Sequence, residues 1–214
     1  MSRPLLITDC DEELLHMVVP FREWLDEAHD IHFSIENRHF DTALRRKACG
    51  TVLEQGEVWE MLRGFFATEM HRQYPIDGAL AALERLSAIA DVVVLTNIGE
   101  QDHDRRIEQL RKVGVTCPVF WNQGGKGEPV RKLIDRYRPS SALFIDDLAL
   151  HHQSVAAEAP EVWRLHMVGE PLIAGVVEPA PMAHARIDDW AMAEEWVRGR
   201  LVSGEAAPDI VQPA

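Results

Sequence analysis

The chain has few cysteines, no long apolar stretch and no leader-like start. It contains three cysteines, Cys10, Cys49 and Cys117, an odd number with no CxxC spacing. This pattern argues against a disulfide framework and favours a reducing compartment. No apolar run approaches the roughly 20 residues of a membrane-spanning helix. The opening MSRPLLITD enters a strand pattern at once, with no signal-peptide region. We therefore predict a soluble, cytoplasmic protein.

Positive charge is also scarce. Lysine and arginine number 22 against 35 aspartates and glutamates, which gives a formal net charge of −13. No basic stripe is available to neutralise phosphates, so the composition argues against a nucleic-acid partner. It argues equally against binding to an anionic membrane surface. A phosphate-binding site in this protein would depend on a metal ion and on a few local cations.

The pattern along the 214 residues is typical of one α/β domain with a modest insertion. Short apolar runs alternate with helical patterns of about 10–15 residues, which indicates βαβ units and a parallel sheet. We predict a Rossmann-like, three-layer α/β/α fold with a parallel sheet, formed by residues 1–15 and 74–203. A small helical cap is predicted at 16–73, inserted after strand 1, and a disordered tail at 204–214.

Polar residues follow three of the apolar runs. One pair of aspartates follows PLLIT, a Thr-Asn pair follows VVVL, two adjacent aspartates follow ALFI, and a lysine lies in a glycine-rich turn before a helix. These residues are Asp9, Asp11, Thr96, Asn97, Lys126, Asp146 and Asp147. Because the carboxyl ends of parallel strands face one crevice, we expect the side chains to meet there. Four carboxylates, a hydroxyl and an ammonium suit Mg²⁺ together with a phosphate, and a carboxylate can serve as a nucleophile.

In this order the four motifs resemble the signature of the haloacid dehalogenase-like superfamily of hydrolases, most of which are phosphatases. The resemblance spans about Pro4 to Val155. It implies that Asp9 is the nucleophile, which forms an aspartyl-phosphate, and that Asp11 is the general acid and then the general base. Dehalogenase members of the superfamily lack the second aspartate, so Asp11 favours phosphoryl transfer over cleavage of a carbon–halogen bond.

The same resemblance assigns the remaining residues. Phosphate would be bound by Thr96, Asn97 and Lys126. The resemblance places Mg²⁺ on the Asp9 side chain, the Asp11 carbonyl and Asp147, with Asp146 as a further ligand or as the residue that orients Lys126. The predicted function is Mg²⁺-dependent hydrolysis of a small phosphorylated metabolite.

The chain departs from the common motif directly after Asp11. Asp-x-Asp-Gly-Thr-Leu is usual, whereas this chain has Glu12 and Glu13 in the Gly-Thr positions. Two added anions would repel a phosphate unless they turn outward. This departure keeps open a non-catalytic module that binds Mg²⁺ and a phosphometabolite or a protein partner. A phosphomutase, which uses the same aspartates, is a further alternative. Substrate, pathway and oligomeric state are left open.

Overall fold

The computed structural model describes residues 2–34 and 40–210. Its elements follow in chain order as β1 (Leu5–Thr8), α1 (Val18–His29), β2 (Ile31–Phe33), α2 (Phe40–Ala43), β3 (Leu44–Arg46), α3 (Gln55–Thr68), α4 (Ala79–Ser87), β4 (Asp91–Asn97), α5 (His103–Lys112), β5 (Val119–Asn122), α6 (Gly127–Tyr137), β6 (Ala142–Asp146), α7 (Ala149–Glu158), β7 (Trp163–His166), α8 (Pro171–Ala174), β8 (Ala185–Arg186) and α9 (Trp190–Ser203). Short 3₁₀ helices lie at Met70–Arg72 and Glu100–Asp102.

A six-stranded parallel sheet with the order β5-β4-β1-β6-β7-β8 forms the centre of the molecule. The last residue of β1, Thr8, is in register with Val94 of β4 and with Ile145 of β6. The next residues along these three strands therefore emerge at the same edge of the sheet. This arrangement confirms the predicted α/β fold with a parallel sheet.

Helices cover both faces of the sheet. Leu6 points into an apolar cluster that includes Leu83 of α4 and Val197 of α9. Its neighbours Leu5 and Ile7 point into the opposite cluster, which α6 and α7 cover. The alternation follows from the two-residue period of a strand. Because both faces are buried, every residue of β1 is apolar except Thr8 at its end.

Residues between β1 and α4 form an insertion with an apolar core of its own. Phe21 of α1 and Phe65 of α3 meet edge to face, with ring centroids 5.5 Å apart. Helices lie in the predicted 16–73 segment, and it also contains an antiparallel pair, β2–β3. Strands of three residues are too short to show an alternating pattern in the sequence. Residues 35–39 of the predicted cap lie outside the described residues.

The chain after α9 contacts the core. Ala207 N donates a hydrogen bond to the Glu161 carbonyl at 2.9 Å, and Trp163 Nε1 donates to the Glu205 carbonyl at 2.9 Å. The tail was predicted to be disordered from residue 204, and its final part, 211–214, lies outside the described residues. Among the helices of the described ranges, none is long and apolar enough to cross a membrane.

Candidate active site

Lys126 lies at the centre of a charged cluster at the carboxyl edge of the sheet. The Lys126 Nζ atom is 2.6 Å from Asp9 Oδ2 and 2.6 Å from Asp146 Oδ2, and the lysine is fully buried. The sequence brings it there because Gly127 lets the start of α6 approach α7. A Cβ atom at Gly127 would lie 2.2 Å from the Ser154 carbonyl oxygen, so any larger residue would push α6 away.

Each of the two carboxylates that contact Lys126 also accepts a hydrogen bond from a backbone amide on its other oxygen. Asp9 Oδ1 accepts a hydrogen bond from Cys10 N at 2.6 Å, and Asp146 Oδ1 accepts one from Leu148 N at 2.9 Å. Burial by itself would lower the pKa of Lys126, but the charges of Asp146 and Asp9 outweigh this effect and raise it. The lysine therefore stays protonated, and Asp146 serves it as an orienting partner.

Asp11 turns to the other side of β1, toward α5 and the end of the insertion. Arg106 Nη2 is 2.9 Å from Asp11 Oδ2, and Gln73 Nε2 donates to Asp11 Oδ1 at 2.6 Å. The buried guanidinium also donates to Cys10 Sγ at 3.1 Å and lies 5.5 Å from the centre of the Phe66 ring. Burial raises the pKa of Asp11, and the charge of Arg106 opposes the rise.

Arg106 and Gln73 are not among the site residues predicted from the sequence. Arg106 precedes the buried Leu110 by four residues, and residues at this spacing share one helix face. That spacing is the signal in the sequence which could have indicated a buried arginine. For Gln73, which ends the insertion, the sequence contains no comparable signal.

The side chains of Glu12 and Glu13 point in different directions. Glu12 adopts a left-handed backbone conformation, with φ of 73°, at the position where the common motif has glycine. Its Oε1 accepts hydrogen bonds from Met17 N at 2.9 Å and Val18 N at 2.6 Å, so the side chain caps α1. Burial raises the pKa of Glu12 to about 7. Glu13, by contrast, points into the site. The negative charge of Glu13 would therefore lie close to a bound phosphate.

Glu13 forms a cluster of carboxylates with Asp9 and Asp147, in which oxygens of the three side chains lie within 4.8 Å of one another. Glu13 is fully buried, and neither of its oxygens has a hydrogen-bond partner in the described part of the chain. Burial and the charges of Asp147 and Asp9 raise the pKa of Glu13 well above its usual value. Carboxylate oxygens are ligands that Mg²⁺ prefers, so the residues present fit a divalent cation.

Thr96 and Asn97 differ in the hydrogen bonds that their side chains form. Thr96 is fully buried, and its hydroxyl is without a hydrogen-bond partner among the residues described. A ligand oxygen would satisfy it. Asn97 Nδ2 donates to the Gly124 carbonyl at 2.9 Å, and Asn97 Oδ1 accepts from Asn122 at 2.9 Å. Asn97 therefore shapes the loop that precedes Lys126.

Two buried histidines hold the backbone at the two adjacent aspartates. His152 Nε2 lies 2.9 Å from the Asp146 carbonyl, and His166 Nε2 lies 2.7 Å from the Asp147 carbonyl. Burial lowers the pKa of His152 to about 3, so its ring is neutral at physiological pH and donates one N–H. These side chains fix where the two carboxylates point.

Solved structures with the same fold include haloacid dehalogenase-like hydrolases. One from Streptococcus pneumoniae has a TM-score of 0.62 and 9% identity, over 92% of this chain and 98% of that chain. One from Xanthomonas campestris has a TM-score of 0.57 and 15% identity, over 95% and 98%. A D,D-heptose 1,7-bisphosphate phosphatase from B. bronchiseptica, complexed with magnesium and phosphate, has a TM-score of 0.52 and 15% identity, over 92% and 98%.

No protein-family model matches the chain, and no curated protein matches its sequence. Structural similarity at 9–15% identity demonstrates the fold. The chain therefore has the haloacid dehalogenase-like fold over nearly its full length, as the motif order predicted. Activity has to be argued from the site itself.

Proposed function

We propose that this protein is a Mg²⁺-dependent phosphomonoester hydrolase that acts on a small phosphorylated metabolite. The observation that carries the proposal is the environment of Asp9. One of its oxygens is oriented by Cys10 N and the other by the buried Lys126. Near the end of the neighbouring strand β4 lies the Thr96 hydroxyl, which has no hydrogen-bond partner among the described residues. A structural neighbour is a phosphatase complexed with magnesium and phosphate, which supports the assignment.

In the first step an Asp9 oxygen attacks phosphorus, and the bond from phosphorus to the leaving oxygen breaks. Asp11 gives its proton to that oxygen, so the alcohol departs neutral. Lys126 and Thr96 bind the phosphoryl oxygens and stabilise their charge in the transition state. The product of this step is an aspartyl-phosphate on Asp9.

In the second step water attacks the phosphorus of the aspartyl-phosphate. Asp11, now ionised, takes a proton from the water, and the bond between phosphorus and the Asp9 oxygen breaks. Inorganic phosphate leaves, and both aspartates return to their starting protonation states. Burial favours the protonated Asp11 of the first step, and Arg106 and Gln73, which hold its two oxygens, favour the ionised Asp11 of the second.

The side chains of Asp9 and Asp147 and the Asp11 carbonyl would hold Mg²⁺. The ion would supply positive charge that offsets the carboxylates and the phosphoryl group. Asp146 contributes indirectly, because both of its oxygens are engaged by Lys126 and Leu148. The insertion at 16–73 is proposed to act as a cap, since its end brings Gln73 onto Asp11.

A second candidate is a non-catalytic metal-binding module of the same fold. The position of Glu13 favours it, because a third carboxylate beside Asp9 and Asp147 adds negative charge where a phosphate would enter. This candidate predicts binding of the cation without turnover.

The test is phosphate release from a panel of phosphomonoesters, with Mg²⁺ or with EDTA. Wild type is compared with Asp9→Asn and with Asp91→Asn. Asp91 begins β4 at the opposite edge of the sheet, so it controls for loss of an aspartate elsewhere. We expect Mg²⁺-dependent turnover in wild type and Asp91→Asn, and a loss of at least about 1000-fold in Asp9→Asn. Absence of turnover across the panel, with Mg²⁺ still bound, would refute the hydrolase and support the second candidate.

A further inference from the structure

We propose that the Glu13 side chain is itself a ligand of the divalent cation, so that three carboxylates hold the ion. The inference concerns the site of the proposed function and deepens it. It requires only that the cation binds, and it does not depend on turnover. The residue that departs from the usual motif thereby acquires a chemical role.

The charges around Lys126 are not balanced within the part of the protein that the structure describes. The lysine contacts Asp9 and Asp146. Glu13 and Asp147 are left without a cationic partner within residues 2–34 and 40–210. Lys126 offsets only one of the four carboxylate charges, so three remain. A divalent cation between Glu13, Asp147 and Asp9 would offset two of these, whereas a monovalent ion would offset only one.

The Glu13 oxygens are buried. Both are removed from solvent, and both are unpartnered among the described atoms. A buried carboxylate is costly unless it is paired, coordinated or protonated. Glu13 lies with Asp9 and Asp147 inside a span of 4.8 Å, at a distance from both that a single bound ion could bridge.

Hydrogen bonds hold the backbone of Glu13 in place. The carbonyl of Glu13 accepts a hydrogen bond from Trp190 Nε1 at 2.7 Å, and that indole is buried. The amides of Leu14 and Leu15 both donate to the Cys10 carbonyl at 2.9 Å. These bonds fix the backbone of Glu13, and hence the direction in which its buried side chain leaves the main chain.

A shared proton is the rival explanation, because a protonated Glu13 could donate to a neighbouring carboxylate. The two explanations differ in their dependence on metal. If Glu13 is a ligand, its replacement weakens metal binding. If it only carries a proton, replacement by glutamine leaves metal binding unchanged, since glutamine keeps the size and can donate a hydrogen bond.

The test measures binding of Mn²⁺, as a probe for Mg²⁺, by titration calorimetry and by the metal-induced shift in Tm. Wild type, Glu13→Gln and Glu194→Gln are compared. Glu194→Gln is the matched control, because it makes the same substitution at a glutamate of α9 that pairs with Arg85 and lies outside the carboxylate cluster. We expect Glu13→Gln to weaken Mn²⁺ binding about tenfold or more and to raise Tm in EDTA. Glu194→Gln should bind Mn²⁺ within about threefold of wild type.

Three outcomes would overturn the inference: equal Mn²⁺ affinity of wild type and Glu13→Gln, equal weakening in both variants, or no Mn²⁺-induced rise in Tm of wild type. The last measurement needs no variant, so it applies even if Glu13→Gln fails to fold. A protein that binds Mn²⁺ through Glu13 but releases no phosphate would support this inference while refuting the hydrolase. Failure of the two proposals is therefore distinguishable.

Discussion

Replacement of Arg106 by methionine tests the buried ion pair that positions Asp11. The Arg106 side chain is fully buried, Asp11 is 12% exposed, and their atoms are 2.9 Å apart. Methionine keeps much of the apolar contact with Phe66 but leaves Asp11 without its cation. Removal of one partner of a buried pair costs about 3–5 kcal/mol. For a protein of this size we expect a fall in Tm of roughly 6–20 °C.

The assay is urea unfolding at pH 7 in EDTA, applied to Arg106→Met, to Asp11→Asn and to the double variant. The double variant should be more stable than the sum of the two single effects predicts, by about 1–3 kcal/mol, because the unpaired charge is then removed as well. Lys112→Met, on the same helix, is the control. In that variant the lost cation lies 71% exposed and its partner Glu108 is 55% exposed, so water screens the pair and stability should hardly change.

A cost below about 1 kcal/mol for Arg106→Met would refute this reasoning. Additivity of the two single effects within about 0.5 kcal/mol would refute it as well. Either result would mean that Arg106 does not stabilise the charge of Asp11, and that Gln73 alone orients the proposed acid.

Two further predictions concern the turn after Asp11 and the start of α6. The pKa of Glu12 is raised from 4.5 to about 7 in the folded state, so the folded protein binds the extra proton. Glu12 should therefore contribute a fall in stability of about 3 kcal/mol as pH rises from 4.5 to 7. The fall should be smaller by about this amount in Glu12→Gln, which unfolding at both pH values measures, and equal falls in both proteins would contradict it. Gly127→Ala should lower Mg²⁺-dependent activity and cost about 1–3 kcal/mol, because the new Cβ meets the Ser154 carbonyl. Gly56→Ala, where no atom lies within 4 Å, is its control, and an equal effect of the two substitutions would argue against the close approach of α6 and α7.

Much of the fold can be predicted from local patterns in the chain. The run PLLIT predicts β1, and ALFI predicts β6, because strands buried on both faces must be apolar throughout. Parallel strands then place Asp9, Thr96 and Asp146 at one edge of the sheet, as the structure shows. The strands of the insertion could not be predicted, since β2 and β3 have only three residues each.

The site divides in the same way. Local backbone geometry places the residues at the strand ends and in the turn before α6. The order of the motifs in the chain therefore predicts that these residues lie together at one edge of the sheet. The contacts of Asp11 with Arg106, 95 residues away, depend on how α5 packs against the sheet. The backbone of Glu13 is held by the Trp190 indole, 177 residues away, which donates a hydrogen bond to its carbonyl. Such contacts are decided by packing between distant segments, because a side chain's charge and size do not specify which of several neighbours it will meet.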